Sequence, residues 1–143
     1  MKASGFLLDT NVVSEALRPR PDARVLAWLR AHESRACLSV VTIGELEAGI
    51  RGAPDARRAE ALRLWLDDVL VPQFAHRLLP VNLEVARRWG ERTAGARAAG
   101  TPVGAVDALL AATAAHHGLV VATRNVRDFE PLGVDVVDPW AGA

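Results

Sequence analysis

The chain has 143 residues, half of them hydrophobic, and seventeen basic side chains balance seventeen acidic ones. That length predicts one domain, 1–143, with enough apolar material for a core that needs neither disulfides nor a structural metal. Zero net charge excludes whole-molecule steering toward nucleic acid, the apolar runs fall short of the ~20 residues of a bilayer span, and a lone cysteine, Cys37, excludes an internal disulfide.

Any nucleic-acid binding must therefore come from local segregation of charge. Every basic residue except Lys2 is an Arg, whose planar fork suits bidentate phosphate contacts. The same Ala-rich, Arg-rich composition also follows from genomic base composition, so the hint is weak. Residues 1–5 meet the first apolar run too early to hold a signal peptide, which makes the cytoplasm the expected location.

In chain order, Phe6-Leu7-Leu8 ends in Asp9, and Thr10-Asn11 opens a segment with apolar residues at 12, 13, 16 and 17. The pattern reads as strand, turn, helix. An acid at the end of a strand in an open α/β sheet stands in the crevice where ligands collect, so Asp9 is the first candidate for chemistry. The local alternative is that Asp9 or Thr10 only caps the helix. Pro19-Arg20-Pro21 breaks the pattern, and Asp22 caps a second helix running to about His32. Residues 36–41 read as the second strand. Thr42-Ile43-Gly44-Glu45 then has the form of a capping box, which would bond Glu45 to a backbone amide and leave it no chemistry.

Residues 55–71 read as a long helix burying Ala61, Leu62, Trp65, Leu66, Val69 and Leu70. A brief strand follows at 77–81, then a helix over 83–99 closed by Gly100 and Pro102. Gly104-Ala105-Val106-Asp107 leads into a nearly all-apolar helix, and an acid at such an entrance is conspicuous. At the far end of that helix His116 and His117 read as a cation-friendly cap. Residues 119–123 read as a strand buried on both faces, 124–129 as a loop, and 134–137 as a last strand. This alternation predicts a three-layer α/β/α fold around a mostly parallel central sheet.

Asp9, Glu45, Asp107 and Asp128 all fall at strand ends or helix starts, and in such a sheet those positions share one edge. The acids can therefore converge. Oxygen-only ligands select a hard cation such as Mg2+ or Mn2+, and no Cys/His spacing for zinc competes. An acid-only metal site without a glycine-rich phosphate loop fits phosphodiester hydrolysis.

Leu7-Leu8-Asp9-Thr10-Asn11, Ser39-Val40-Val41-Thr42-Ile43-Gly44-Glu45-Leu46, Asp107-Ala108-Leu109-Leu110-Ala111-Ala112-Thr113-Ala114 and Val121-Ala122-Thr123-Arg124-Asn125-Val126-Arg127-Asp128-Phe129 resemble the four motifs of PIN-domain ribonucleases. More narrowly they are similar to the VapC toxins of toxin-antitoxin pairs. The early Ser14-Glu15-Ala16-Leu17-Arg18-Pro19 and the closing Pro139-Trp140 resemble the FitB-like branch. The resemblance spans essentially the whole chain. It implies a PIN fold, Mg2+- or Mn2+-dependent endonuclease activity on RNA, a homodimer, and an antitoxin that blocks the site and recruits the complex to promoter DNA. Motif match carries metal-ligand roles onto Asp9, Glu45 and Asp107, with Thr10, Asn11, Thr123 and Asn125 in support. One departure stands out: many relatives place the fourth acid where this chain has Asn125, and here an acid appears only at Asp128. Asp128 supports the metal on one reading and caps a local turn on the other.

Three other functions compete. A haloacid-dehalogenase-type phosphatase also starts with a strand ending in Asp, but it needs a second Asp two residues on as general acid, and position 11 is Asn. A catalytically silent binding module would keep the acids as caps or as a dock for a basic peptide. A DNA-directed nuclease of the same architecture is the third.

Overall fold

Leu7 and Leu8 are neighbours in sequence and belong to different cores. Side chains alternate across a strand, so one faces each side of the sheet. Leu7 packs with Ala108, Leu110, Ala111, Val121, Phe129 and Leu132. Leu8 packs with Val12, Val25, Leu38, Leu66, Leu70 and Phe74. The same split divides Val121 from Ala122, and it gives the three-layer α/β/α arrangement expected from the sequence.

The computed structural model describes residues 5–141; residues 1–4, on which the signal-peptide reading bears, and 142–143 lie outside the described residues. The strands are β1 (Phe6–Leu8), β2 (Ala36–Ser39), β3 (Leu78–Leu79), β4 (Val120–Ala122) and β5 (Val136–Val137). They form one sheet in the order β3-β2-β1-β4-β5, with every pairing parallel. Leu7 lies opposite both Cys37 and Val121, which makes β1 the central strand. The chain builds outward to β3 on one side and to β5 on the other, so the order reverses between β1 and β4. Crevices open at such a switch point, outside the carboxyl ends of the strands.

The helices are α1 (Thr10–Ser14), α2 (Ala23–His32), α3 (Val40–Arg51), α4 (Ala56–Trp65), α5 (Val71–Gln73), α6 (Leu83–Ala98), α7 (Ala105–His117) and α8 (Val126–Phe129). Among the described residues, no helix is long and apolar enough to cross a membrane. Gly118 closes α7 in the left-handed conformation, φ 66°, where a side chain would clash with its own backbone. His116 and His117 stand in the last turn of α7, where burial and the neighbouring His116 lower the pKa of His117. Glu47 on α3 bonds Arg63 on α4 at 2.7 Å and Arg51 at 2.9 Å. Arg63 and then Arg51 hold its carboxyl down at about 2.

Four sequence expectations are corrected. β2 ends at Ser39, not at residue 41, because the Ser39 hydroxyl accepts the Val41 amide at 3.0 Å and starts α3. The capping box at Thr42 is therefore absent; Thr42 is the third residue of the helix and fully buried. The helix over 55–71 is interrupted by a π turn at Leu66–Leu70. The wider turn rotates the face, so Val69 is 51% exposed whereas Leu66 and Leu70 stay buried; Ala61, expected inside, is exposed on α4 before the turn. Finally, 124–129 is not a plain loop, since residues 126–129 coil into α8 and seat Phe129 in the core.

These assignments separate the working cap of α3 from the one the sequence suggested. Ser39→Ala removes a working helix cap and is expected to cost about 1 kcal/mol of stability in denaturant titration. Glu45→Gln, in a position with no capping bond, is expected to leave the midpoint nearly unchanged; the reverse ranking would restore the capping box.

Candidate active site

Asp9 stands one residue beyond β1, at the switch point, and is only 6% exposed. Its two oxygens have separate tasks. Oδ1 accepts the Thr10 amide at 2.8 Å and caps α1, as the local reading expected. Oδ2 accepts the Thr123 hydroxyl at 2.8 Å from the end of β4, with the Asn11 side-chain amide at 3.4 Å. The Asp9 amide in turn donates to Ala122 at 2.9 Å. Capping and presentation to the crevice are thus compatible.

Glu45 lies in the second turn of α3, far from any capping role. It accepts the Thr10 hydroxyl at 2.5 Å, so Thr10 links two of the candidate acids. Asp107 enters from the first turn of α7, half-buried. Its carboxyl is pushed up to about 6 from the usual 3.8, first by burial and then by the charges of Asp9, Asp128 and Glu45, in that order. That shift is a report on position: all three acids are close enough for their fields to act on Asp107. Thr123 is fully buried and also accepts the Asn125 amide at 3.0 Å. Asn125 occupies the N-cap position of α8 with no side-chain capping bond, and Asn11 accepts the Arg124 amide at 3.3 Å.

The four candidate acids and the four polar residues read from the sequence therefore meet around one crevice. The donor set is all oxygen and carries uncompensated negative charge, which suits a hard divalent cation. Among the described residues, no three acidic, His or Cys side chains stand close enough together to hold a metal ion between them, so a cation here would need oxygen ligands from water or substrate as well. Sequence reasoning missed a groove of about 420 Å³ at its edge, lined by Arg124, Asn125, Val126, Arg127, Asp128 and Asp138. Two arginines within one acid-bearing stretch give no periodicity to read.

The raised Asp107 carboxyl makes a signed prediction for metal-free protein. The unfolded chain loses this proton near 3.8 and the folded chain near 6, so the contribution to stability is full below 3.8 and is lost as pH rises through 6. Asp107→Asn is expected to melt above the parent at pH 7 and with it at pH 3.5. Equal melting temperatures at pH 7 would show that the acids do not repel.

Comparison with known proteins identifies the family. The PIN domain family model matches residues 6–133. The chain is 38% identical over 139 residues to VapC ribonuclease Y4jK of Sinorhizobium fredii, covering 96% of this chain and 99% of that one. It is 38% identical over 136 residues to toxin FitB of Neisseria gonorrhoeae, covering 94% and 98%. The crystal structure of FitAcB from Neisseria gonorrhoeae superposes with a TM-score of 0.89 at 38% identity, over 94% of this chain and 98% of that one. The chain belongs to the PIN-domain family, in the branch that holds the VapC and FitB toxins.

Proposed function

We propose that this protein is an endoribonuclease and the toxin of a toxin-antitoxin pair, hydrolysing RNA phosphodiester bonds with Mg2+ or Mn2+ held by Asp9, Glu45 and Asp107. The observation that supports the reading most is the hydrogen-bonded chain Thr123–Asp9–Thr10–Glu45 at the switch point of the sheet, with Asp107 within reach of the fields of Asp9 and Glu45. Four independent caps would have no reason to sense one another. When bound, the cation supplies a Lewis acid for the phosphate and lowers the pKa of water. Asp9 is held for this task by Thr123 and the Thr10 amide, and Thr10 turns Glu45 toward it. The carboxylates attract the cation and repel a substrate phosphate, so the phosphate is accepted only once the cation is in place.

The partner follows from the same charge. A second groove, of about 350 Å³, runs from Thr10 and Glu45 along Leu46, Ile50, Leu62 and Trp65. An antitoxin segment with apolar side chains in this groove and an Arg or Lys over the acids would inhibit by replacing the cation's charge. In this reading the protein works in the cytoplasm as a homodimer and reaches promoter DNA only through the antitoxin. Relatives that are ribonucleases by name, VapC ribonuclease Y4jK among them, support RNA over DNA as substrate.

Partner-free protein is expected to cleave RNA with Mg2+ or Mn2+ and to stop with chelator. Asp9→Asn and Asp107→Asn should each reduce cleavage by at least ~100-fold, the loss typical when a central electrostatic group is removed. Metal-independent cleavage, or full activity in either variant, would refute the site. Asp128 is assigned to charge support: Asp128→Asn should raise the Mg2+ concentration for half-maximal cleavage and leave the metal-free melting temperature unchanged. A lower melting temperature with an unchanged metal requirement would make it a structural cap.

A further inference from the structure

A neutral protein with an acidic site faces a polyanion, and an ion in the crevice answers only for the phosphate being cut. The phosphates on either side still need a cation from the protein. Arg124 and Arg127 line the groove that abuts the site, and Asn125 and Asp128 are shared between groove and crevice. Both arginines are exposed, and among the described residues neither forms an ion pair with a carboxylate within 4.0 Å. The two carboxylates of the groove, Asp128 and Asp138, lie beyond ion-pair distance of both arginines. Asp138 accepts the Trp140 amide at 2.9 Å, and the charge of Asp128 bears on Asp107.

Arg124 is also oriented. Its guanidinium carbon lies 5.3 Å from the centre of the Trp140 ring, and Trp140 is 8% exposed. Stacking over a fixed ring restrains the plane and leaves the edge of the fork free for oxygen ligands. Its backbone amide donates to Asn11, next to Asp9, which ties the base of the side chain to the site.

We propose that Arg124 and Arg127 form a subsite for a backbone phosphate next to the one that is cleaved, and so position single-stranded RNA across the carboxylates. The assignment rests on the nuclease reading above but uses different residues and a different measurement. The contact is to phosphate, so it adds affinity and register without base preference. Arg127 supplies charge from the single turn of α8; Arg124 supplies charge and direction.

The test is binding of a short fluorescent oligouridylate to the Asp9→Asn protein in Mg2+, titrated over a range of salt, with Arg124→Ala and Arg127→Ala added singly. Each is expected to weaken binding and to lower the slope of log affinity against log salt by about 0.7, the value of one phosphate contact to a single strand. A packing role would lower the melting temperature and leave that slope intact. If Arg124→Ala fails to fold without its Trp140 stack, Arg124→Gln, which keeps a planar polar end against the ring and loses the charge, and Arg127→Ala carry the test. In the parent background the same changes should raise KM more than they lower kcat. Unchanged affinity and slope in the Arg127 variant and in the folded Arg124 variant would overturn the subsite. Absence of any RNA cleavage by the parent, with binding still dependent on both arginines, would overturn the nuclease reading and keep the subsite.

Discussion

The hydrogen bond from Thr123 to Asp9, 2.8 Å long and fully buried at its donor, is the constraint on which the rest of the site depends. It joins the ends of β1 and β4 where the sheet reverses its winding order, and there the two strands cannot be covered by a crossover helix. A crevice is the geometric result. A buried carboxylate at its floor would be costly without donors, and Asp9 has three: the Thr123 hydroxyl, the Thr10 amide and the Asn11 side chain. Those bonds fix its orientation. Every other acid is then placed relative to Asp9, Glu45 through Thr10 and Asp107 through the packing of α7.

The site is built from repulsion, and the fold must outweigh it. Asp107 holds its proton more tightly than a free Asp because burial and three like charges oppose ionisation. Two independent cores supply the excess. Leu7 and Val121 anchor the α7 side, and Leu8, Leu38 and Ala122 anchor the α2 side, so β1 is clamped from both faces within a few residues of Asp9. A sheet held on one face only could relax and spread the acids. Here relaxation would open apolar surface on both sides at roughly 25 cal/mol per Å².

Much of this was legible because the pattern changes where the chemistry sits. An apolar triplet that stops at Asp9 before a helical spacing marks strand, turn and helix together. A carboxylate at the head of the apolar α7 is costly to bury without a cation or a donor, so Asp107 points to a site. The fold class followed from alternation alone. Other features were hidden for physical reasons. Val40 and Val41 are β-branched and extend the apparent strand, but the Ser39 hydroxyl at their amino end decides for helix. Thr-x-x-Glu is satisfied equally by a cap and by two residues one turn apart on α3. The π turn at 66–70 inserts an extra residue that no propensity encodes, which is why Val69 turned outward. α8 is four residues long and has no period to detect.

Charge is distributed in this chain by distance rather than by amount. Seventeen positive and seventeen negative side chains cancel over the molecule, so beyond a Debye length of about 8 Å the protein presents no net field to a polyanion. Inside that distance the signs separate: the floor of the crevice is carboxylate, and the groove at its rim carries Arg124 and Arg127. A strand of phosphates laid across the two meets attraction at the rim and repulsion at the floor. The mismatch is removed only when a cation enters the floor, whether an inorganic ion or the side chain of a partner. The same arrangement therefore makes occupation of the floor the deciding event: an ion there completes a substrate site, and an arginine or lysine there closes it.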